Sequence, residues 1–165
     1  LETAMNNKIE ESTYGSPIDM EREPLVRSEF GGRVDPISGK RAGHSGMDLA
    51  VPTDTASHAI QSGVVMKSEY HYSYGIFVKI DHGNGLCSTY AHNSLLNVKE
   101  GDIVAKGDVI SLSGSTGRST GPHLHFEMRQ DNVRVNPRDY LPTTNTNTTS
   151  ITNYSDPALE NTAEC

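Results

Sequence analysis

The chain has few of the features that several large protein classes require. Only two of its 165 residues are cysteine, Cys87 and Cys165. Two cysteines do not make a disulfide framework, so we expect no structural disulfide and a fold stabilised by other means. Acidic residues outnumber basic ones, 21 against 14, which gives a formal net charge of −7. Nucleic-acid-binding proteins usually carry a basic patch, so this balance argues against that class and fits ordinary solubility charge.

Long apolar segments are also missing. No run of 18 or more apolar residues occurs, so the sequence predicts no membrane span in this chain. No signal-peptide pattern is visible either. Because the chain begins at Leu1 rather than Met, we expect a processed or excised fragment, from which an export signal could have been removed. An extracytoplasmic location therefore stays open.

The distribution of polar residues predicts one folded domain between two polar flanks. Residues 1–23 carry scattered acids and are predicted to form a leader or linker. Residues 143–165 are rich in Thr, Asn and Ser, a composition typical of a tail or a linker to another module. Residues 24–142 hold the apolar patterns and form the predicted domain. Such flanks suit a domain taken from a larger multidomain protein.

The predicted domain is mainly β. Short apolar or alternating stretches separated by Gly-rich turns indicate an antiparallel sandwich or barrel-like fold. No long amphipathic helical pattern competes with them. The candidate strands are residues 63–70, 75–82, 86–92, 102–105, 108–112, 123–129 and 133–135.

The most informative stretch is GPHLHFEM at residues 121–128. In a β-strand, side chains two residues apart point to the same face at a spacing of roughly 6.5–7 Å. His123 and His125 would then share one face, while Leu124, Phe126 and Met128 fill the core behind them. One imidazole could bind a metal there while the other reaches a substrate bound to that metal. The alternative is a pair of solvent-exposed histidines.

A second candidate ligand pair is His44 and Asp48. A straight strand would place them about 13 Å apart, so a turn must bring them together, and Gly43 and Gly46 permit one. Zinc accepts both imidazole and carboxylate. With one histidine from the distant strand, the pair would give three protein ligands and one open position, which is typical of catalytic zinc. Taken alone, this spacing is equally typical of a surface histidine and a turn aspartate.

His92, which follows Tyr90 at strand spacing, is a third candidate; an exposed histidine at a strand end is the alternative. His58, His71 and His82 lie in polar or turn contexts, and we interpret them as structural or exposed. The stretch GSTGRSTG at residues 114–121 lacks the Gly-Lys-[Ser/Thr] ending of a phosphate loop. It is better explained as a tight loop that lifts the following strand into the site.

Two further motifs are absent. Without Gly-x-Ser-x-Gly, a serine triad is not indicated. Without His-Glu-x-x-His, no carboxylate base is supplied in that form, so a histidine must move the proton.

Taken in order, these motifs resemble the LytM/lysostaphin-type (M23) zinc metallopeptidases over about residues 30–141. The similar segments are FGGRVDP at 30–36, GHSGMDLA at 43–50, YAH at 90–92, GSTG at 114–117, HLHFE at 123–127 and VNP at 135–137. Asp54 departs from the pattern, since the family commonly has Gly there in Pro-x-Gly-Thr. That position belongs to an expected turn, and Asp tolerates left-handed geometry better than most residues.

The resemblance implies that His44, Asp48 and His125 hold one zinc ion per chain. It implies that His92 and His123 are the catalytic histidines, as general base and oxyanion stabiliser in an order that the sequence does not decide. The implied fold is a groove-bearing antiparallel β-sheet with a second, smaller sheet. The implied substrate is the cross-bridge or stem peptide of bacterial peptidoglycan, cleaved in the cell wall, in the periplasm, after secretion or on a virion.

Three alternatives remain. The first is a non-catalytic cell-wall-binding or activator module on the same fold, although such relatives typically lack the zinc ligands. The second is a zinc amidase or endopeptidase that acts on other peptides. The third is a structural component of a virion or secretion apparatus.

Overall fold

The computed structural model describes residues 14–18, 25–34 and 41–142. Within these ranges, the side chains of residues 25, 27–28, 32–34 and 41–44 lie outside the description. Most of the predicted leader (1–23) and all of the predicted tail (143–165) are likewise outside it, so the domain boundaries stay predictions.

The described residues form twelve strands and one 3-10 helix, with no α-helix. In chain order the elements are β1 Leu25–Ser28, β2 Gly31–Val34, β3 Arg41–His44, β4 Met47–Ala50, β5 Ala56–His58, β6 Gly63–His71, β7 Gly75–Gly83, β8 Leu86–Leu96, β9 Ile103–Val104, β10 Val109–Ser113, β11 Leu124–Gln130, β12 Val133–Val135 and η1 Pro137–Asp139. No helix in the described ranges is long and apolar enough to cross a membrane.

Ten of these strands form one sheet, and β2 and β3 form a second, two-stranded sheet. The main sheet runs β1-β4-β11-β8-β7-β6-β9, with β10 on β5 and β8 and with β12 on β11. Every pairing is antiparallel. The prediction of a mainly antiparallel β fold with a large and a smaller sheet is therefore confirmed.

Strand β11 divides the fold into a core face and a site face. Leu124, Phe126 and Met128 are fully buried in the core, as predicted. Tyr90 of β8 packs against Phe126 edge to face, with ring centroids 5.1 Å apart. The Tyr90 hydroxyl accepts a hydrogen bond from the Ile60 backbone N–H at 3.0 Å, which satisfies a buried polar group that would otherwise destabilise the core. The alternate residues of β11 point to the opposite face.

Part of the predicted leader packs on this domain. Ile18 is 3% exposed and belongs to the core cluster, and it forms an isolated bridge with Ser57 of β5. The Gly15 N–H donates to the Ile60 carbonyl at 2.7 Å. Residues 14–18 therefore lie against the edge of the domain.

The expectation of no structural disulfide is wrong, because Cys87, buried in β8, is disulfide-bonded. A disulfide depends on which residues the folded chain brings together, and that proximity is not visible in the cysteine count.

Asp54, the position that departs from the family pattern, lies in the turn between β4 and β5 at φ +70°. This left-handed conformation is the one expected for it. Ser94 Oγ donates to Asp54 Oδ1 at 2.6 Å in an exposed hydrogen bond. The Asp54 N–H donates to the Ser113 carbonyl at 2.7 Å.

We predict that Asp54→Gly will change the free energy of unfolding by less than about 1 kcal/mol. Glycine removes the left-handed strain but loses the exposed hydrogen bond, and the two effects offset each other. Asp54→Val keeps the strain and loses the bond, so it should destabilise by about 2 kcal/mol. Chemical denaturation of both variants checks this. Equal destabilisation by Gly and Val would show that the left-handed backbone conformation does not determine which residues position 54 tolerates.

Candidate active site

The pairing of β4 with β11 places Asp48 directly opposite His125. Residues opposite each other in an antiparallel pair point to the same face, and here Asp48 Oδ1 lies 2.7 Å from His125 Nδ1. The chain reaches β4 through the expected turn, a bend at Ser45 and Gly46 after β3. A Cβ at Gly46 would collide with the carbonyl oxygen of Phe126. Glycine is therefore required for β4 to approach β11 this closely.

His44 is the last residue of β3, just before that bend. Its side chain lies outside the described part of the structure. Among the side chains that are described, no group of three His, Cys, Asp or Glu residues has the geometry of a metal site. The predicted ligand role of His44 therefore stays a prediction.

His123 precedes β11 and lies on the same side as His125, as the alternation predicts. Its Nε2 is 3.6 Å from Asp48 Oδ1. Its Nδ1 lies 2.8 Å from the Gly121 carbonyl oxygen, which can only accept, so in the neutral ring the proton is on Nδ1. Nε2 then carries the lone pair on the side of Asp48.

His92 reaches the site by an irregularity that its spacing from Tyr90 does not predict. In a regular strand, His92 would share the core face of Tyr90, two residues earlier. The register between β7 and β8 shifts at this point, from Val78 opposite Tyr90 to Ile76 opposite Asn93, so β8 carries one extra residue. His92 itself has φ +65°. This bulge turns its ring toward the site, a role that bulges often have beside active sites.

The three imidazoles consequently form one cluster. The His92 ring centroid is 4.8 Å from that of His123 and 5.8 Å from that of His125. All three residues are 5–7% exposed, as is Asp48. Burial, reinforced by the charge of His125, lowers the pKa of His92 to about 4. His92 is therefore neutral near pH 7 and can accept a proton.

The loop between β10 and β11 holds two of these histidines. The Thr116 carbonyl lies 2.6 Å from His92 Nδ1 and the Gly121 carbonyl 2.8 Å from His123 Nδ1. Thr116 Oγ1 accepts from the Ile76 N–H and donates to the Asn93 carbonyl, at 3.0 and 2.6 Å. These bonds tie the loop to β7 and β8. The loop is thereby fixed beside His92 and His123.

Glu127 is a site residue that the sequence reasoning missed. It is 1% exposed and lies two residues after His125, on the same face of β11. Its Oε2 lies 2.8 Å from His125 Nε2 and accepts from Ser45 Oγ at 2.7 Å. The Tyr74 hydroxyl donates to both carboxylate oxygens, at 2.9 and 3.0 Å. Arg134 Nε lies 3.7 Å from Oε1. The charge of Glu127 is thus compensated from several sides.

This arrangement gives the two nitrogens of His125 different functions. His125 Nε2–H donates to Glu127 Oε2, and Nδ1 is the nitrogen that faces Asp48. A carboxylate behind a histidine commonly fixes the tautomer and orientation of a metal ligand in this way. Burial raises the pKa of the Tyr74 hydroxyl, with the Glu127 charge adding to the shift, so Tyr74 stays a donor.

The surroundings of His125 stabilise positive charge. Burial by itself would lower its pKa, but the hydrogen bonds to Asp48 and Glu127 outweigh burial and raise it. The pKa of Glu127 is lowered in spite of burial, chiefly by His125. A divalent cation between Asp48 and His125 could bind a carboxylate oxygen and an imidazole nitrogen. The raised pKa of His125 shows that positive charge is favoured at this position. Carboxylate and imidazole are both zinc ligands, so Asp48 and His125 fit zinc as two of its ligands.

The i, i+2 alternation of β11 could have pointed to Glu127, since it places this residue beside His125. Tyr74 and Ser45 gave no such signal, because they lie 53 and 82 positions from Glu127 in the chain. Thr116 contacts His92 through its backbone carbonyl, which any residue type carries.

We predict that Glu127→Gln will weaken zinc binding by about 10- to 100-fold, because the amide keeps the shape of the side chain but removes the charge that supports His125. Tyr74→Phe removes one donor to the same carboxylate and should have a smaller effect. Titration of the metal-free chain against a chelator of known affinity measures both variants. Unchanged affinity in Glu127→Gln would show that its charge does not support the metal site.

Comparison with known proteins agrees with this geometry. Residues 42–137, more than half of the chain, match the profile of Peptidase family M23. The chain belongs to peptidase family M23. It is 40% identical over 124 residues to the peptidoglycan DD-endopeptidase ShyC of Vibrio cholerae, a match that covers 74% of this chain and 28% of ShyC.

Two solved structures are similar to this member of the M23 family. A zinc-containing peptidase from Vibrio cholerae superposes with a TM-score of 0.70 at 32% identity, covering 78% of this chain and 40% of that one. The catalytic domain of lysostaphin from Staphylococcus simulans gives a TM-score of 0.65 at 30% identity, covering 71% and 91%. The predicted family and fold are confirmed. The chain spans less than a third of the length of the first curated relatives that it matches.

Proposed function

We propose that this chain carries a zinc-dependent endopeptidase domain that hydrolyses peptide bonds in bacterial peptidoglycan, in the cross-bridge or stem peptide. The convergence of His92, His123, His125 and Asp48 on one sheet face is the observation that carries the proposal. The names of the similar proteins, a peptidoglycan DD-endopeptidase and a zinc-containing peptidase, support the substrate and the metal.

His44, Asp48 and His125 would hold one zinc ion per chain. Asp48 contributes a carboxylate oxygen, and His125 contributes Nδ1, which Glu127 directs toward Asp48. When bound, zinc would polarise the scissile carbonyl and make a water molecule more acidic. The proposed ligands Asp48 and His125 are each 7% exposed, so little solvent reaches them. Low solvent content strengthens every electrostatic interaction there.

His92 and His123 would move the protons. Each Nδ1 faces a backbone carbonyl, so Nε2 is the basic nitrogen of each neutral ring. One ring would take a proton from the attacking water at Nε2. Peptide hydrolysis must return a proton to the leaving amine, and the same imidazolium can donate it. The other ring, when protonated, would donate to the oxygen that develops negative charge.

Because peptidoglycan lies outside the cytoplasmic membrane, the proposed location is extracytoplasmic: the cell wall, the periplasm, the medium or a virion.

The test is digestion of purified peptidoglycan by the chain, with the soluble products identified by mass spectrometry. We expect new peptide termini in the cross-bridge or stem, their disappearance with a chelator, and their return with added zinc. A folded, zinc-loaded chain that releases no peptides would contradict the proposal and favour the wall-binding module. Products with intact peptides and cut amide links to the glycan would favour the amidase.

A further inference from the structure

The face of the main sheet that carries His125 continues away from the site as a row of charged residues. Strand register aligns Lys67 of β6 with Lys79 of β7, Lys79 with Thr89 of β8, and Thr89 with Glu127 of β11. Aligned residues of neighbouring antiparallel strands share a face. Lys79 therefore lies on the site face, in the same row as Glu127.

The next row along β11 adds two arginines. Arg129 follows Glu127 at the i+2 position and pairs with Arg134 of β12. Arg129 is 6% exposed and Arg134 is 3% exposed. Arg129 Nη1 donates to the amide oxygen of Asn132 at 3.1 Å, which is a neutral partner. Arg134 has Glu127 as its carboxylate partner, with Nε 3.7 Å from Oε1. Arg129 also shares a hydrogen bond with the Tyr74 side chain and is attracted by the charge of Glu127.

Lys79 stands out in this cluster. It is 8% exposed, yet among the described residues it makes no hydrogen bond or ion pair. Some described side-chain nitrogens and oxygens are fully buried without a hydrogen-bond partner, but Lys79 Nζ is not among them. The methylene stem is therefore buried while the ammonium group reaches solvent on the site face, as long basic side chains commonly do.

Most of the charged groups that act on Lys79 are positive. Burial lowers its pKa, and the charges of Arg129, Lys67 and Arg134 add to the shift, while Glu127 opposes it. The other nearby acids have partners, since Glu69 lies 4.0 Å from Lys67 and Asp81 accepts from the Gly83 N–H. A chain with a net charge of −7 thus concentrates cations on one part of its site face. Such a local excess attracts an anion.

We propose that Lys79, on the same sheet face as Arg129, binds a free carboxylate group of the peptide substrate. This inference rests on the proposed function, and it deepens it by naming a specificity-determining site. Lys79 is aligned with Glu127 across two strand spacings, and Glu127 lies two residues after His125 along β11. These steps correspond to roughly 12 Å between the Cα atoms of Lys79 and His125. Since an extended peptide advances about 3.3–3.6 Å per residue, the carboxylate would belong to a residue three or four positions from the bond that is cleaved.

The experiment measures peptide binding, so that it does not depend on cleavage. The probes are fluorescently labelled stem peptides with one side-chain carboxyl group, free or converted to the carboxamide, and the readout is the Kd by fluorescence anisotropy. The wild-type chain should bind the free acid about 10- to 100-fold more tightly than the amide, as a charge-assisted hydrogen bond does. Lys79→Met should remove this preference and leave amide binding unchanged. Lys67→Met, the matched control in the exposed part of the same row, should keep it.

Equal wild-type affinity for acid and amide would overturn the inference, and it needs no variant that could misfold. Equal weakening of both peptides by Lys79→Met would also overturn it, because a merely structural lysine would act in this way. Preferential binding of the acid without cleavage of either peptide would count against the proposed function and leave the carboxylate site standing.

Discussion

Replacing His125 with alanine will remove zinc binding and reduce peptide hydrolysis by at least about 1,000-fold. The substitution deletes the imidazole that lies between Asp48 and Glu127, at 2.7 and 2.8 Å. It also leaves a buried carboxylate, 1% exposed in the case of Glu127, without its histidine partner. Breaking a buried ion pair by removing one partner destabilises by about 3–5 kcal/mol, so the variant should also unfold at lower denaturant concentration.

Metal analysis of the purified variant, with circular dichroism to confirm folding, checks the first part of this expectation. His58→Ala is the matched control, because His58 lies on β5 and its Nδ1 contacts the Gly107 carbonyl, away from the cluster. The control should retain both zinc and activity. A folded His125→Ala chain that still holds one zinc ion would show that His125 is not a ligand.

Replacing His123 with alanine should also abolish turnover, but zinc should stay bound. His123 Nε2 lies 3.6 Å from Asp48 Oδ1, and its other nitrogen is held by the Gly121 carbonyl. It can therefore reach a substrate beside the metal without being needed to hold the ion. General acid–base catalysis typically contributes about 10²- to 10⁴-fold, so kcat should fall by that factor. The KM should change little.

Steady-state kinetics on a soluble peptide substrate, together with zinc content from the same preparation, measures this effect. Normal cleavage by His123→Ala would remove the proposed role. Loss of zinc would make His123 a ligand instead. The two variants together separate metal binding from proton transfer, the roles proposed for His125 and His123.

The regular parts of the fold could be predicted because their patterns are local. Val78 and Ile80 of β7 are fully buried, and the same alternation along β11 separates Phe126 from His125. Seven strands were predicted from such patterns, and each of them appears in the structure with ends shifted by at most a few residues. Strands β1 to β5 were not predicted. They have only three or four residues each, and pairing with neighbouring strands, rather than their own pattern, holds them in place.

The candidate site could be predicted only as far as strand periodicity extends. His123, His125 and Asp48 lie together because of an alternation and a turn, both visible in the sequence. His92 joins them only because a bulge in β8 reverses the face expected from Tyr90. Tyr74 and Ser45 reach Glu127 across long stretches of chain, and such contacts are set by tertiary packing. The metal and catalytic roles, taken from the family resemblance, remain predictions.

Zinc-edge anomalous diffraction from a crystal of the zinc-loaded chain tests the proposed zinc coordination most directly. We expect one anomalous peak per chain, about 2.0–2.2 Å from a carboxylate oxygen of Asp48, from Nδ1 of His125 and from a nitrogen of His44. His92 and His123 should lie outside the coordination shell. A peak bound to Nε2 of His125, a peak at another place in the chain, or no peak at full zinc loading would contradict it.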